Sequence, residues 1–313
     1  MKTVVTAGEI LVEIMATRLG QTFREPGPLV GPFPSGAPAI FIDQCGRLGQ
    51  PCGIVAAVGE DDFGALNIDR LRASGVDVSA MTVHPGVPTG SAFVRYHADG
   101  GRSFVFNIAH SASGRIALDE AARALLDRAD HFHVMGTALF SPQVIGVALG
   151  CVEAVKARGG TVSFDPNLRP ELLGSPGLRE ALEAILGRCD IFLPSGGELF
   201  LFTRARDEAG AVAELFARGV PEIAWKRGAE GAVHFDARGR TAVPGFAVEE
   251  VDPTGAGDCF GAAFVSMRLR GEAPERALRV ACACGALAVT RKGPMEGTAT
   301  TAEVERFLAE RGA

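Results

Sequence analysis

The chain has no cluster of Lys or Arg, no apolar stretch long enough to cross a bilayer and no Cys-x-x-Cys pair. Each absence bears on a class of function. Without a basic run, and with a formal net charge of −6 over 313 residues, the sequence argues against general nucleic-acid affinity, so an anionic ligand would need a local site. Without a span of about 20 apolar residues, no transmembrane helix is expected. The opening Met1–Gly8 is too short an apolar run for a signal peptide and reads as a buried strand. The seven cysteines stand dispersed at 45, 52, 151, 189, 259, 282 and 284, mostly in apolar segments, which fits a reducing cytoplasm as the expected location. Cys282 and Cys284 are two apart in a helical pattern, face different sides and make poor co-ligands. There is no Ser/Gly linker, repeat or low-complexity tract, so residues 1–313 are read as one domain. Gly-x-x-x-x-Gly-Lys-Ser/Thr and Gly-x-Ser-x-Gly are also missing, and Asp62-Phe63-Gly64 stands without the other protein-kinase motifs, as a local coincidence.

Hydrophobic residues make up 47% of the chain and charged ones 22%, a globular composition. Short β-rich runs alternate with helical patterns. Thr3–Ala7, Gly53–Val58, His131–Met135, Thr161–Asp165, Asp190–Leu193 and Glu222–Lys226 read as strands. Pro38–Arg47, Phe63–Ala73, Leu118–Arg128, Pro142–Ala157, Leu178–Gly187, Asp207–Ala217, Gly257–Arg270 and Glu275–Thr290 read as helices. Such alternation implies a mainly parallel sheet covered on both faces, with ligands at the C-terminal ends of its strands. Residues 11–34 and 88–108 break the pattern. The second is a hairpin turning at Ala98-Asp99-Gly100-Gly101, and the two excursions are expected to pair as a small sheet outside the main one.

Near its C-terminal end the chain reads Asp252-Pro253-Thr254-Gly255-Ala256-Gly257-Asp258, followed by Cys259-Phe260-Gly261-Ala262-Ala263-Phe264. A glycine-rich turn feeds an apolar helix, with a carboxylate at the junction. Amides at a helix N-terminus lack intrahelical acceptors and attract an anion, and glycine lets backbone approach a ligand closely. A base beside an anion hole is what phosphoryl transfer to a hydroxyl requires. Read alone, the segment is equally a turn before a helix, with Asp258 favouring the helix dipole.

The full heptapeptide resembles the second signature of the PfkB (ribokinase-like) carbohydrate kinases. Ser35-Gly36-Ala37-Pro38-Ala39, Arg47-Leu48-Gly49 and Val58-Gly59-Glu60-Asp61-Asp62-Phe63-Gly64 resemble that family's N-terminal signature. Ser35-Gly36 stands where Gly-Gly is usual, and Ile40 where the family usually has a substrate-binding Asn. The resemblance covers essentially the whole chain. It implies an α/β fold, a three-layer αβα sandwich with a mainly parallel central sheet and a β-sheet lid formed by about 11–34 and 88–108. It also implies ATP and Mg2+ as cofactors, K+ in several relatives, a sugar substrate, and a homodimer joined through the lids.

Carried over residue by residue, the resemblance makes Asp258 the base and the amides of Gly255, Ala256 and Gly257 the anion hole. Asp165-Pro166-Asn167-Leu168-Arg169 is similar to the family's Asp-x-Asn-x-Arg, with Asn167 and Arg169 facing phosphates or substrate. Glu13, at a strand end, is the acidic residue that would accept sugar hydroxyls, with Gly36 and Asn107 beside it. Pro194-Ser195-Gly196-Gly197-Glu198 resembles Pro-Asn-x-x-Glu, so Glu198 would hold Mg2+ through water, although Ser195 and Glu198 also make a capping box. Lys226-Arg227-Gly228-Ala229-Glu230-Gly231 resembles the nucleotide-phosphate turn, giving Lys226, Gly228 and Gly231 to ATP, with Gly285 flanking the adenine. Asp252 and Thr254 are the candidates for the monovalent ion. His131-Phe132-His133 puts two imidazoles on one strand face, but nothing nearby in sequence completes a metal set.

The substrate is the harder reading. Gly31-Pro32-Phe33-Pro34-Ser35-Gly36-Ala37-Pro38-Ala39-Ile40-Phe41-Ile42-Asp43 looks most like the tagatose kinase branch, so a neutral ketohexose is expected first. Ketodeoxygluconate kinases grip a carboxylate with Arg and Tyr on the lid. The strand Ser103–Ile108 lacks those groups, while Arg95 and Tyr96 keep ketodeoxygluconate or fructose open. A sugar-binding sensor without catalysis is the alternative of a different class.

Overall fold

A computed structural model describes residues 1–98, 101–168 and 176–312. The runs read as strands become β1 (Val4–Ala7), β4 (Cys52–Gly59), β8 (His131–Met135), β9 (Thr161–Asp165), β10 (Ile191–Phe192) and β11 (Glu222–Lys226). They are joined by three strands the sequence reading passed over: β5 (Met81–His84), β12 (Ala232–Asp236) and β13 (Gly239–Val243). Together they form a nine-stranded sheet in the order β13-β12-β11-β10-β9-β8-β1-β4-β5. It is parallel from β11 to β5, and the β12–β13 hairpin extends it antiparallel at one edge. Every residue of β1, β4 and β8 is buried, His131 and His133 included, as expected for a sheet covered on both faces.

Helices α1 (Ala37–Arg47), α2 (Asp62–Ala73), α7 (Ala256–Leu269), α8 (Pro274–Ala288) and α9 (Thr301–Ala309) cover one face. Helices α3 (Glu120–Leu126), α4 (Pro142–Ala157), α5 (Leu178–Leu186) and α6 (Glu208–Ala217) cover the other. Two separate cores result, one per face, which is the three-layer sandwich. Helix α9, also unread in the sequence, starts with a capping box in which Thr300 and Glu303 satisfy each other's amides. Helix α3 is shorter than expected because Asp119 already caps it, accepting from the Ala122 amide at 2.8 Å. No described helix is long and apolar enough to cross a membrane.

The two excursions pair as expected. β2 (Leu11–Ala16), β3 (Leu29–Ser35), β6 (Gly90–Tyr96) and β7 (Arg102–Asn107) form a second sheet, ordered β3-β2-β6-β7. The tip of its hairpin, Asp99 and Gly100, lies outside the described residues. Asp61 ties this sheet to the main body: its carboxylate caps α2 through the Gly64 amide and accepts from both the amide and the hydroxyl of Thr89, just before β6.

Candidate active site

Five parallel strands deliver their C-terminal ends to one region, where an open α/β sheet places its ligands. β1 ends at Gly8-Glu9, β8 at Gly136, β9 at Asp165, β10 before Pro194 and β11 at Lys226. Helix α7 begins there too. Gly255 precedes it at φ 84°, a left-handed conformation that strains any residue with a Cβ. A Cβ on Gly255 would also fall 2.6 Å from the Pro294 carbonyl and 3.2 Å from Ile40. Turn geometry and close approach therefore both demand glycine here.

Asp258 lies in the first turn of α7, buried. Asn167 donates its amide to Asp258 Oδ1 at 3.2 Å, from a backbone held at φ 37°, a conformation Asn tolerates better than most residues. The sequence assigned Asn167 to the substrate; the structure sets it against the carboxylate of Asp258. Arg169 lies outside the described residues.

Lys226, expected at ATP, is the last residue of β11. Its side chain is buried, its ammonium forms an ion pair with Asp165, and its Nζ lies 3.6 Å from where a Cβ on Gly257 would stand. The cation thus sits beneath the anion-attracting end of α7. Burial is the main cause that pushes Asp165 up to about 7; Lys226 opposes the shift, and the charges of Glu198 and Asp258 add to it. Asp165 Oδ1 has no hydrogen-bond partner.

Glu198 accepts from the Leu168 amide on one oxygen and from the Ser195 amide on the other, both at 2.8 Å. The expected capping box is present, and the same carboxylate ties the loop after β9 to the turn after β10. Each of its oxygens retains a second lone pair, and Asp165 Oδ1 lies in the same cluster. These hard oxygen donors fit Mg2+ bound through waters. Asp252 is different. Its Oδ1 accepts from the amide and hydroxyl of Thr254 and its Oδ2 from the Gly293 amide, so a monovalent ion on these side chains would have to displace existing bonds.

Across from this lies the small sheet. Strand alternation puts Glu13 and Met15 of β2, Ala92, Val94 and Tyr96 of β6, and Arg102, Phe104 and Phe106 of β7 on one face. That face meets the turn before α7, because Arg102 donates to Thr254 Oγ1 at 2.7 Å. Ser35 donates to Glu13 at 2.7 Å, so the acid expected at the sugar is present and buried. Burial and the charges of Asp252 and Glu13 push the Tyr96 phenol up, and Lys292 stands over its ring. Arg95 takes the opposite face, and so does Asn107, which is exposed and bonded to Ser91; the structure does not bring Asn107 to the site.

Packing constrains the backbone at the remaining expected residues. Gly36 adopts φ 112°, and a Cβ on it would stand 2.4 Å from the Glu9 carbonyl. Ile40, where an Asn contact was in doubt, is buried against Gly255. Gly285 is half-buried, with space for a Cβ only 3.2 Å from the Ala256 carbonyl, so it lets α8 approach the head of α7. Gly228 and Gly231 form the turn after β11 with positive φ; a Cβ on Gly231 would meet the Val243 carbonyl at 2.1 Å. His131 and His133 are joined through the Ser163 hydroxyl, 2.7 Å from each, and burial holds both well below the usual imidazole range. Among the described residues no group of three His, Cys, Asp or Glu side chains could hold a metal ion. Two residues had no place in the sequence reading: Arg102, half-buried and one residue before the segment searched for a carboxylate grip, and Glu9, buried directly after β1.

The pattern of the pfkB family carbohydrate kinases matches residues 4–301. The chain therefore belongs to this family, phosphotransferases that act on sugar hydroxyls. It is 32% identical over 316 residues to fructokinase-1 of Oryza sativa subsp. japonica, with 97% of each chain covered. It is 33% identical over 319 residues to the 2-dehydro-3-deoxygluconokinase of Thermoproteus tenax, covering 98% of this chain and 94% of the other. A ribokinase II from E. coli, solved with ATP and Mg2+, superposes with a TM-score of 0.94 at 49% identity, covering 99% of this chain and 100% of that one.

Proposed function

We propose that this protein transfers the γ-phosphoryl group of ATP to a hydroxyl of a small sugar, with Asp258 as the base. The observation that carries the reading is the convergence of Asp258, the head of α7 and the buried Lys226 at the strand ends. In this mechanism the sugar lies under the small sheet, acting as a lid, with Glu13 accepting from its hydroxyls. Asn167 orients Asp258, which takes the proton of the attacking hydroxyl. The amides of Gly255, Ala256 and Gly257, backed by the Lys226 ammonium, meet the developing negative charge. Mg2+, held through waters by Glu198 and Asp165, would neutralise phosphate charge when bound. Residues 1–313 act as one kinase domain in this reading. The exposed Val105 and Leu29 of the lid support a homodimer through the lids, and seven buried free thiols suit the cytoplasm.

A ketohexose such as tagatose or fructose is the first substrate reading. A specific observation favours a second, a sugar acid of the 2-keto-3-deoxygluconate kind: Tyr96 and Arg102 are cross-strand partners on the inner lid face, with Lys292 beside them. ADP release measured over a panel of ketoses and sugar acids separates the two. If the ketohexose reading holds, Arg102→Leu leaves the best substrate's KM within about threefold. If the acid reading holds, the same change raises KM by about tenfold or more, since a charged hydrogen bond is worth about 1.5–3 kcal/mol. Sugar binding without turnover for every compound would overturn both in favour of a sensor.

A further inference from the structure

Glu198, the carboxylate placed at Mg2+ above, stands on a turn that packing does little to hold. The turn begins Ser195-Gly196-Gly197, and all three residues are exposed. Gly196 adopts φ 47°, and among the described residues a Cβ on either glycine would meet nothing within 4 Å. Two adjacent glycines have more backbone freedom to lose than any other pair, so the turn is costly to order. Hydrogen bonds from the end of β11 restrain it instead. The Lys226 amide donates to the Pro194 carbonyl at 2.9 Å, just before the turn, and the Trp225 indole donates to the Gly196 carbonyl at 2.9 Å, inside it. Strand alternation sends these two side chains to opposite faces of the sheet. Lys226 pairs with Asp165, while the half-buried ring of Trp225 packs against the core of the other face, as Phe200 and Phe202 do. An indole anchored by its apolar body and bonded through its N–H holds its partner in a fixed place. The last two residues of β11 thus reach both carboxylates given to the metal: Lys226 contacts Asp165 directly, and Trp225 reaches Glu198 through Gly196. Arg227, at the start of the Gly228–Gly231 turn, stands with its guanidinium 5.0 Å from the centre of the same ring.

We infer that Trp225 is a positioning residue for the metal: its indole N–H fixes the Ser195-Gly196-Gly197 turn, so that Glu198 is presented to Mg2+ in one place. This role rests on Glu198 holding Mg2+ through water, as proposed above. The carboxylate then meets the metal's waters without first paying to order two glycines, and the gain appears as metal affinity.

The test follows ATP binding by calorimetry, with and without Mg2+, and turnover of the best sugar as Mg2+ is varied, all on the full-length protein. Trp225→Phe keeps a ring and loses the donor. In it the Mg2+ concentration for half-maximal effect is expected to rise about fivefold in both measurements, in line with one neutral hydrogen bond. The Kd for metal-free ATP, and kcat at saturating Mg2+, should stay within about twofold. A rescue separates positioning from general support of the fold. Gly197 lies outside the left-handed region and a Cβ there would meet nothing within 4 Å, so alanine fits and reduces only backbone freedom. Added to Trp225→Phe, Gly197→Ala should recover about twofold or more of the lost Mg2+ affinity. A Trp225→Phe protein with wild-type Mg2+ dependence, one in which metal-free ATP binding falls as much, or a double variant without recovery would overturn the inference. If no sugar is turned over, the proposed function fails on its own, and calorimetry still reads the effect of Trp225 on the metal. If Glu198→Gln leaves the Mg2+ dependence of ATP binding unchanged, the metal assignment at Glu198 fails and the role of Trp225 falls with it.

Discussion

Among the described residues, the buried carboxylates of Asp43 and Asp165 both pair with cations, and they are satisfied to different degrees. Asp43 of α1 receives Arg70 Nε at 3.0 Å and Nη2 at 3.1 Å, the Ser74 hydroxyl at 2.6 Å and the Thr298 hydroxyl at 2.7 Å. Arg70 also donates to the Met295 carbonyl, so the pair closes α1, α2 and the segment after α8 into one unit. Asp165 has the Lys226 ammonium on one oxygen and nothing on the other, and burial pushes it up to about 7. A pair whose carboxylate accepts on all four of its lone pairs is a tie within the fold. A pair with capacity left over, at the strand ends and beneath a helix N-terminus, is one that a ligand completes.

That contrast is open to a direct break. Lys226→Met should lower kcat/KM by about 100-fold or more, because it removes a positive charge from the anion site. Its cost in stability should be the smaller of the two, since Asp165 can be relieved by taking a proton. Arg70→Met should do the opposite. Loss of one partner of a fully bonded buried pair costs about 3–5 kcal/mol, while kcat of the folded fraction stays within about threefold. Melting curves together with steady-state kinetics measure both. A stable but inactive Arg70→Met, or an unfolded Lys226→Met with normal specific activity, would reverse the assignment.

A smaller effect sharpens the same comparison on α1. Ile40 stands where the family usually has a sugar-binding Asn, but here it is 2% exposed and packed beneath Gly255. Ile40→Asn should cost about 1–3 kcal/mol by burying an amide without partners, and should leave the sugar KM unimproved. A lower KM would show that the position still faces the substrate.

The architecture was largely legible because short β-rich runs alternate with helical patterns along the chain and the helices keep their period and caps. β8, β9 and β11 appear at the boundaries read from sequence. The edge strand β5 was not, being four residues of which none is fully buried, too short for its Thr82 and Val83 to show a periodicity. The β12–β13 hairpin was hidden behind the Gly228–Gly231 turn that precedes it. In the site, Asp258, Glu13, Asn167 and Glu198 were read from the family resemblance, and the structure sets them at strand and helix ends. The ion pair of Lys226 with Asp165 was not read, because a motif gives the order of residues and not whether a side chain turns inward. Arg102 and the Asp43–Arg70 tie depend on cross-strand register and on contacts more than twenty residues apart. No local pattern encodes those.

The central claim is that Asp258 is the base of a phosphoryl transfer whose ATP site survives without it. Its most direct test is Asp258→Asn, with ATP binding by calorimetry and ADP release in the presence of the best sugar measured on one preparation. The account predicts that kcat falls by about 1,000-fold or more while the ATP Kd stays within about threefold. Turnover near the wild-type rate would contradict it.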